Sequence, residues 1–354
     1  MGYMILDQRL KDLPTSVWQK IAQIDELKGQ WIGGVKLGPQ VLGRLKKSVL
    51  VTSTGASTRI EGASLSDEDV EKLMRGIGLQ QFSDRDKQEV QGYYELLNNV
   101  FDSWDRLRFS ESLIKHFHQE LLKYVDKDIR HRGDYKKQEN KVHMIDEARQ
   151  SVGILFDTTP AYLTPKETQE LVEWTQITID NQRHHPLLII ANFLVQFLQI
   201  HPFQDGNGRL SRILTNLLML QAGYAYMPYV SHEKIIEDNK PEYYLALRQS
   251  QKTFNTDHET IVPWLEFFSD ITLHQSKMAL ELFSDENIER LLSPRQLEVW
   301  QYMREAIEVT PRELSEKLGI PRPTINQVLN KLLDLKKIEH LGLGRGTRYR
   351  ISQK

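Results

Sequence analysis

Residues His201 to Arg212 read HPFQDGNGRLSR and lie between two segments with apolar positions at helical spacing, Pro186–Gln199 and Arg209–Ala222. Pro202 cannot continue the first helix and favours a turn. Gly206 and Gly208 permit positive φ and a close approach of backbone to a ligand. Successive N–H groups in such a turn form a concave nest for an anion. The next helix, starting at about Gly208 or Arg209, aims its first amides and its dipole at the same nest. Arg209 and Arg212 are three residues apart on one face of that first turn, and each can fork onto phosphate oxygens. Asp205 is a carboxylate beside the nest, suited to a Mg2+ ion that also takes phosphate oxygens. Asn207 can donate to a phosphate from inside the loop, and His201 at its lip has the ordinary pKa of a general base. So many specified residues in one register arise by chance on the order of once in a billion trials. The set reads as a nucleotide-phosphate site with a base beside it.

The rest of the chain sets bounds on this reading. Its 354 residues suggest two or three domains. A 40% hydrophobic and 27% charged composition is that of an ordinary globular protein. The 46 basic residues nearly cancel the 48 acidic ones, so net charge points to neither nucleic acid nor membrane. The absence of cysteine excludes disulfides, thiol nucleophiles and thiolate metal sites, and fits a reducing cytoplasm. The opening MGYMILDQRLKDLP lacks the pattern of a signal peptide, and Leu6 stands where a myristoylation motif needs Ser or Thr. The most apolar run, Leu187–Ile200, is short and broken by Asn192, Gln196 and Gln199, so it reads as a core helix rather than a membrane span. The expectation is a cytoplasmic protein.

Helical periodicity dominates: it covers 16–30, 40–50, 66–76, 83–104, 110–124, 164–181, about 239–252 and 258–283. Ser66 followed by Asp67, Glu68 and Asp69 is a helix start. Lys141–Ile145 and Ser151–Phe156 are β-prone and predict a short hairpin turning near Asp146–Gln150. Periodicity breaks at Ser284–Pro294. Beyond it, helices are expected at Leu297–Ile307, Thr310–Leu318 and Pro321–Leu335, then strands at Ile338–Leu341 and Thr347–Ile351 around Gly342, Gly344 and Gly346. That order looks like a winged helix. Its candidate recognition helix carries Arg322, Thr324, Asn326, Gln327 and Lys331, and its wing carries Arg345, Arg348 and Arg350.

HPFQDGNGRLSR resembles the Fic motif, HPFx(D/E)GNGRxxR, at every fixed position. The resemblance implies a mainly α protein: a Fic-type helical core with a small β-hairpin flap, here followed by a C-terminal winged-helix module. It divides the chain into a helical N-terminal region (1–105), a catalytic core (106–285) and a winged helix (290–354). It implies a protein adenylyltransferase that moves AMP from ATP to a Ser, Thr or Tyr hydroxyl of a target protein. His201 would deprotonate the hydroxyl, and Asp205 would hold Mg2+ across the α- and β-phosphates. Gly206, Asn207 and Gly208 would form the anion hole. Arg209 would contact the triphosphate and Arg212 the γ-phosphate, while Asn239, Tyr243 and Tyr244 resemble the adenine-pocket region.

Ser57-Thr-Arg-Ile-Glu61-Gly62 places Ser57 and Glu61 on one face of a helical turn that Gly62 can end. Within segment 52–62 it resembles the inhibitory motif Ser/Thr-x-x-x-Glu-Gly/Asn of such proteins. By that likeness Glu61 pairs with Arg212 and holds the γ-phosphate position, because a carboxylate competes with a phosphate for one guanidinium. The same pocket, with Glu61 positioning a water, suits AMP removal. A DNA-binding regulator with a nucleotide-sensing core is the reading from another class. Self-modification, DNA contact through 290–354 and homo-oligomers are all open to such a chain, and the target protein stays unnamed.

Overall fold

The computed structural model describes residues 2–33, 39–76, 84–145, 151–282, 292–306, 308–335, 337–341 and 347–352. They form two compact units, one made of residues 1–28 and 46–276, the other of 29–45 and 277–354. Among the described residues no helix is long and apolar enough to cross a membrane.

The first unit is helical apart from one strand pair. In chain order it holds α1 (Gly2–Gln8), most of α2 (Thr15–Gly33), the later part of α3 (Pro39–Ile60), α4 (Asp67–Met74), α5 (Asp84–Ser103) and α6 (Glu111–Leu121). Strands β1 (Lys141–Ile145) and β2 (Ser151–Asp157) follow, then α7 (Thr164–Asp180), α8 (Pro186–Ile200), α9 (Asn207–Gln221), α10 (His232–Asp238), α11 (Lys240–Gln251) and most of α12 (Val262–Glu281). Helix α8 is the axis of this unit: from Leu187 to Val195 every residue is buried. Each fully buried Leu, Ile or Phe there contributes roughly 1.5–3 kcal/mol. It packs against α7, α9 and α11, and α9 packs in turn on α5 and α6. The polar breaks that kept this run from reading as a membrane span have partners. Gln196 Oε1 accepts from Arg9 at 2.8 Å, and the Asn192 amide donates to the Leu6 carbonyl at 2.9 Å, so they dock α1.

The expected hairpin is present. β1 and β2 pair antiparallel from Lys141 opposite Asp157 to Ile145 opposite Ser151, and the register shifts twice. The predicted turn at 146–150 lies outside the described residues. Ser66 caps α4 in a capping box with Asp69. Two helices, α1 and α10, are too short for periodicity to announce them, and α3 runs on from the predicted 40–50 to Ile60.

In the second unit, α13 (Pro294–Glu305), α14 (Pro311–Leu318) and α15 (Arg322–Asp334) precede β3 (Ile338–Leu341) and β4 (Arg348–Ile351), which pair antiparallel. Val309 bridges Tyr349 on the other edge of β4. Val41, Val299, Trp300, Leu314, Ile325 and Leu329 sit in its core. Thr310 caps α14 and Gly319 ends it in the left-handed region, φ 65°. Gly342, Gly344, Arg345 and Gly346 lie outside the described residues.

Gly92 lets α5 approach α6 closely: a Cβ there would overlap the Leu121 carbonyl at the end of α6. Gly92→Ala is expected to lower the unfolding free energy by about 1–3 kcal/mol, the usual cost of overpacking. A urea midpoint equal to wild type would contradict the packing described.

Candidate functional site

The loop between α8 and α9 begins with a strained residue. His201 ends α8 in the left-handed region, φ 51° and ψ 62°, a conformation that costs a non-glycine residue roughly 1–2 kcal/mol. Its neighbours are therefore tied down: the Lys136 N–H donates to the Pro202 carbonyl at 2.9 Å and the Thr159 N–H to the Gln199 carbonyl at 3.1 Å. His201 Nδ1 lies 3.3 Å from the Leu198 carbonyl. A carbonyl only accepts, so Nδ1 carries the ring proton and Nε2 keeps its lone pair. Burial pushes the pKa of His201 down to about 4, and the nearby Lys136 charge acts in the same direction. The ring is neutral at pH 7, the state a general base needs.

The loop then closes on itself. Asn207 Oδ1 accepts from the Phe203 N–H at 2.9 Å and Nδ2 donates to the Phe203 carbonyl at 2.8 Å. The sequence assigned this side chain a phosphate contact; here it is buried and engaged at both ends by Phe203, so it shapes the loop. Gly206, at φ 80°, is the N-cap of α9, whose first residue, Asn207, comes one position earlier than expected. The first-turn amides of α9 have no acceptor within the helix and remain for an anion. Gly208 lies inside α9 rather than at positive φ, and a Cβ there would meet Glu61 Oε1, so the Glu61 carboxylate would have to move aside.

The charged side chains form two connected groups. In one, Asp205 Oδ2 meets Arg85 Nη2 at 2.7 Å and Arg209 Nη2 at 3.2 Å, and Oδ1 accepts from the Gly206 N–H at 2.6 Å. Burial works to raise the Asp205 pKa, but the two guanidinium groups and the amide outweigh it and hold the carboxyl below its ordinary value. Buried Arg209 also pairs with Glu89 at 2.8 Å. In the other, Arg212 Nη2 donates to Glu61 Oε1 at 2.8 Å and to the Ser57 carbonyl at 2.9 Å, and Nε donates to Ser57 Oγ at 2.7 Å. Arg212 is buried, and among the described residues its Nη1 meets no acceptor at hydrogen-bond geometry. Burial opposes its charge, and Glu61 more than compensates, raising its pKa.

Local structure delivers Glu61 to this point. The Ala63 N–H donates to the Thr58 carbonyl and the Gly62 N–H to the Arg59 carbonyl, with Gly62 at φ 98°. This is a Schellman ending, which turns the chain sharply after α3. Glu61 thus hangs from the C-terminal end of one helix over the N-terminal turn of another. The first location is unfavourable for an anion and the second favourable.

Tyr243 and Tyr244, ring centroids 5.2 Å apart, flank this group; both feel the Arg212 and Glu61 charges, and burial drives the Tyr243 pKa up to about 12. A small cavity of about 20 Å3, lined by Arg212, Tyr243, Ile236 and Trp264 among others, lies alongside. Asn239 faces its own helix end, donating to the Ile235 carbonyl at 2.8 Å. Among the described residues no cluster of three or more His, Asp or Glu side chains is able to hold a metal ion alone.

Sequence reasoning missed His118, Lys136, Asn140, Arg85 and Glu89. His118 accepts at Nδ1 from the Gly133 N–H (2.8 Å), faces the Asp205 carbonyl with Nε2 (3.0 Å) and stacks on Phe203 at 3.9 Å. In the sequence it is one helical position among many, and no short-range pattern marks it.

A left-handed histidine, a glycine-bearing anion nest and buried arginines, carried by two core helices, are the parts of a helical phosphate-handling domain. Residues 108–219 match the Fic/DOC family. A probable protein adenylyltransferase of Aquifex aeolicus is 23% identical over 195 residues, 54% of this chain and 56% of that protein. A Fido domain-containing protein of Dictyostelium discoideum is 32% identical over 101 residues, 26% of this chain and 66% of that protein. The chain thus spans between about half and two thirds of these relatives. A Fic family protein from Desulfovibrio desulfuricans has the same fold, with a TM-score of 0.64, 23% identity and 97% of each chain covered.

His118 and His201 are both buried with pKa values lowered to about 4. The unfolded rings bind protons from about pH 6.5 downward while the folded ones do not. Stability should therefore fall as pH drops from about 6.5 to 4, by at most about 1.4 kcal/mol per pH unit for each ring. Urea titrations of wild type and His118→Asn should show a shallower acid slope in the variant. Parallel slopes would contradict the assignment.

Proposed function

We propose that this protein is a protein adenylyltransferase, held off by Glu61 in its resting state. The observation that carries the reading is the shared guanidinium: Arg212, facing the anion nest, is already occupied by Glu61 and Ser57. A target Ser, Thr or Tyr hydroxyl oxygen attacks the α-phosphorus of ATP. The bond from that phosphorus to the bridging oxygen breaks, pyrophosphate leaves, and the hydroxyl proton passes to Nε2 of His201. Glycine and first-turn amides hold the developing charge, which is where preorganised donors contribute most. Asp205 fits Mg2+ as a single carboxylate completed by phosphate oxygens, the usual way this ion is held. Its present partners, Arg85 and Arg209, would then turn to the phosphates.

Removal of the brake is the direct test. Glu61→Gly with α-labelled ATP and Mg2+ should label itself or lysate proteins at least tenfold more than wild type, and γ-labelled ATP should transfer nothing. His201→Ala in that background should abolish labelling, given the 10²–10⁴-fold contribution typical of a positioned base. Label from the γ position only, or no gain in Glu61→Gly, would sink the proposal.

The second unit supports a separate role. Its order of three helices and a hairpin is that of a winged helix, and α15 exposes Arg322, Asn326, Gln327 and Asn330. Residues 310–354 hold ten Lys and Arg against four Asp and Glu, in a chain of net charge −2. Such segregation favours a polyanion, and amide and guanidinium side chains on a helix suit base edges in the major groove. Duplex DNA is the partner this supports, although Arg348 and Arg350 are partly spent on Glu308 and Glu339. The full chain should shift duplex DNA in a gel at 50 mM salt and release it steeply by about 200 mM, as phosphate contacts require. No shift at low salt would exclude it.

A further inference from the structure

Lys136 is an unusual residue to find inside this protein. It is 4% exposed, and among the described residues no carboxylate pairs with it. A buried ammonium has to be satisfied by other means, because an isolated one is costly. All three of its donors find neutral acceptors: Asn140 Oδ1 at 2.9 Å, Thr158 Oγ1 at 2.9 Å and the Ile200 carbonyl at 3.0 Å. The positions of these acceptors are informative. Asn140 immediately precedes β1, Thr158 immediately follows β2, and Ile200 immediately precedes His201. The backbone N–H of Lys136 donates to the Pro202 carbonyl on the other side of His201. Asn140 adds a third tie, Nδ2 to the Phe203 carbonyl at 3.0 Å, and Thr158 Oγ1 closes onto the Asn140 carbonyl at 2.8 Å.

We propose that Lys136 is a positioning residue that locks both feet of the β1–β2 flap to the strained backbone carrying His201. The proposal rests on the adenylyltransferase reading, in which the flap aligns a target segment by adding it as a strand. If flap and base were independent, a docked hydroxyl would wander relative to Nε2. With one ammonium bonded to both flap feet and to the residue before the base, they move as one body. A lysine suits the task because three tetrahedral donors reach three acceptors lying in different directions, which the planar fork of arginine does not. Burial lowers the Lys136 pKa to about 8, consistent with an ammonium held by neutral groups.

Hydrogen exchange on the full chain reads the coupling without reference to activity. In Lys136→Met, amides of 141–145 and 151–157 should exchange at least tenfold faster, while α8 and α9 keep wild-type protection. Thr158→Val, a milder cut of the same junction, should give the same pattern at smaller size, and it decides the question if Lys136→Met does not fold. In the Glu61→Gly background, with α-labelled ATP and self-modification as readout, Lys136→Met should lower turnover roughly 10- to 100-fold, the scale of a misplaced reacting group. The KM for ATP should be unchanged. Unaltered flap exchange would overturn the proposal, as would exchange that rises equally across α8 and α9, since that marks a merely structural residue. If Glu61→Gly itself transfers no AMP, the functional reading fails, and flap exchange alone decides Lys136.

Discussion

The site depends on one buried guanidinium. Arg212 lies in the first turns of α9 with almost no exposure, and it is charged at any pH a protein meets. Such a group must be given an anion or strong acceptors, because the interior does not tolerate it otherwise. The fold supplies Ser57 and Glu61 from the end of α3. ATP would supply a phosphate. Glu61 Oε1 lies against Gly208, so under the proposed function the two solutions would compete for the same space. In this account, regulation and catalysis are thus alternative ways of neutralising one charge. Under that reading the Ser57 contacts would keep Arg212 in place when the anion changes.

The neighbouring groups follow from that constraint. Asp205 is balanced by Arg85 and Arg209. His201 is kept neutral by burial and carries its proton on Nδ1, which leaves the lone pair on Nε2. The left-handed conformation at His201 costs energy, and the contacts from Lys136 and Thr159 offset it. If His201 is the base proposed above, strain held in this way is preorganisation in physical form.

Much of this was legible in the sequence because it is local. The α8–loop–α9 corner follows from Pro202, the two glycines and the flanking apolar periodicity. The ending of α3 follows from Gly62, and the cap of α4 from Ser66. The β1–β2 pair was visible in its β-prone runs. What escaped was non-local or unpatterned. His118 supports the loop from α6, and Arg85 reaches Asp205 from α5, 120 residues away in the chain. Lys136 sits in an irregular segment, and only folding shows that its three partners surround it. Asn207 was assigned to the ligand because its type suits a phosphate, whereas its amide satisfies the loop backbone instead. Residue type alone does not say which of two equally good partners a side chain will take.

The competition for Arg212 is open to direct measurement. In protein labelled with 15N-arginine, the Nε–H resonance of Arg212 can be followed while ATP with Mg2+, and separately AMP, is added to wild type and to Glu61→Gly. The account predicts that Arg212 in wild type ignores both nucleotides. In Glu61→Gly it should shift with ATP but not with AMP, which lacks the terminal phosphates. A wild-type Arg212 that responds to ATP as fully as the variant does would show that Glu61 does not hold the phosphate position, and would contradict the account.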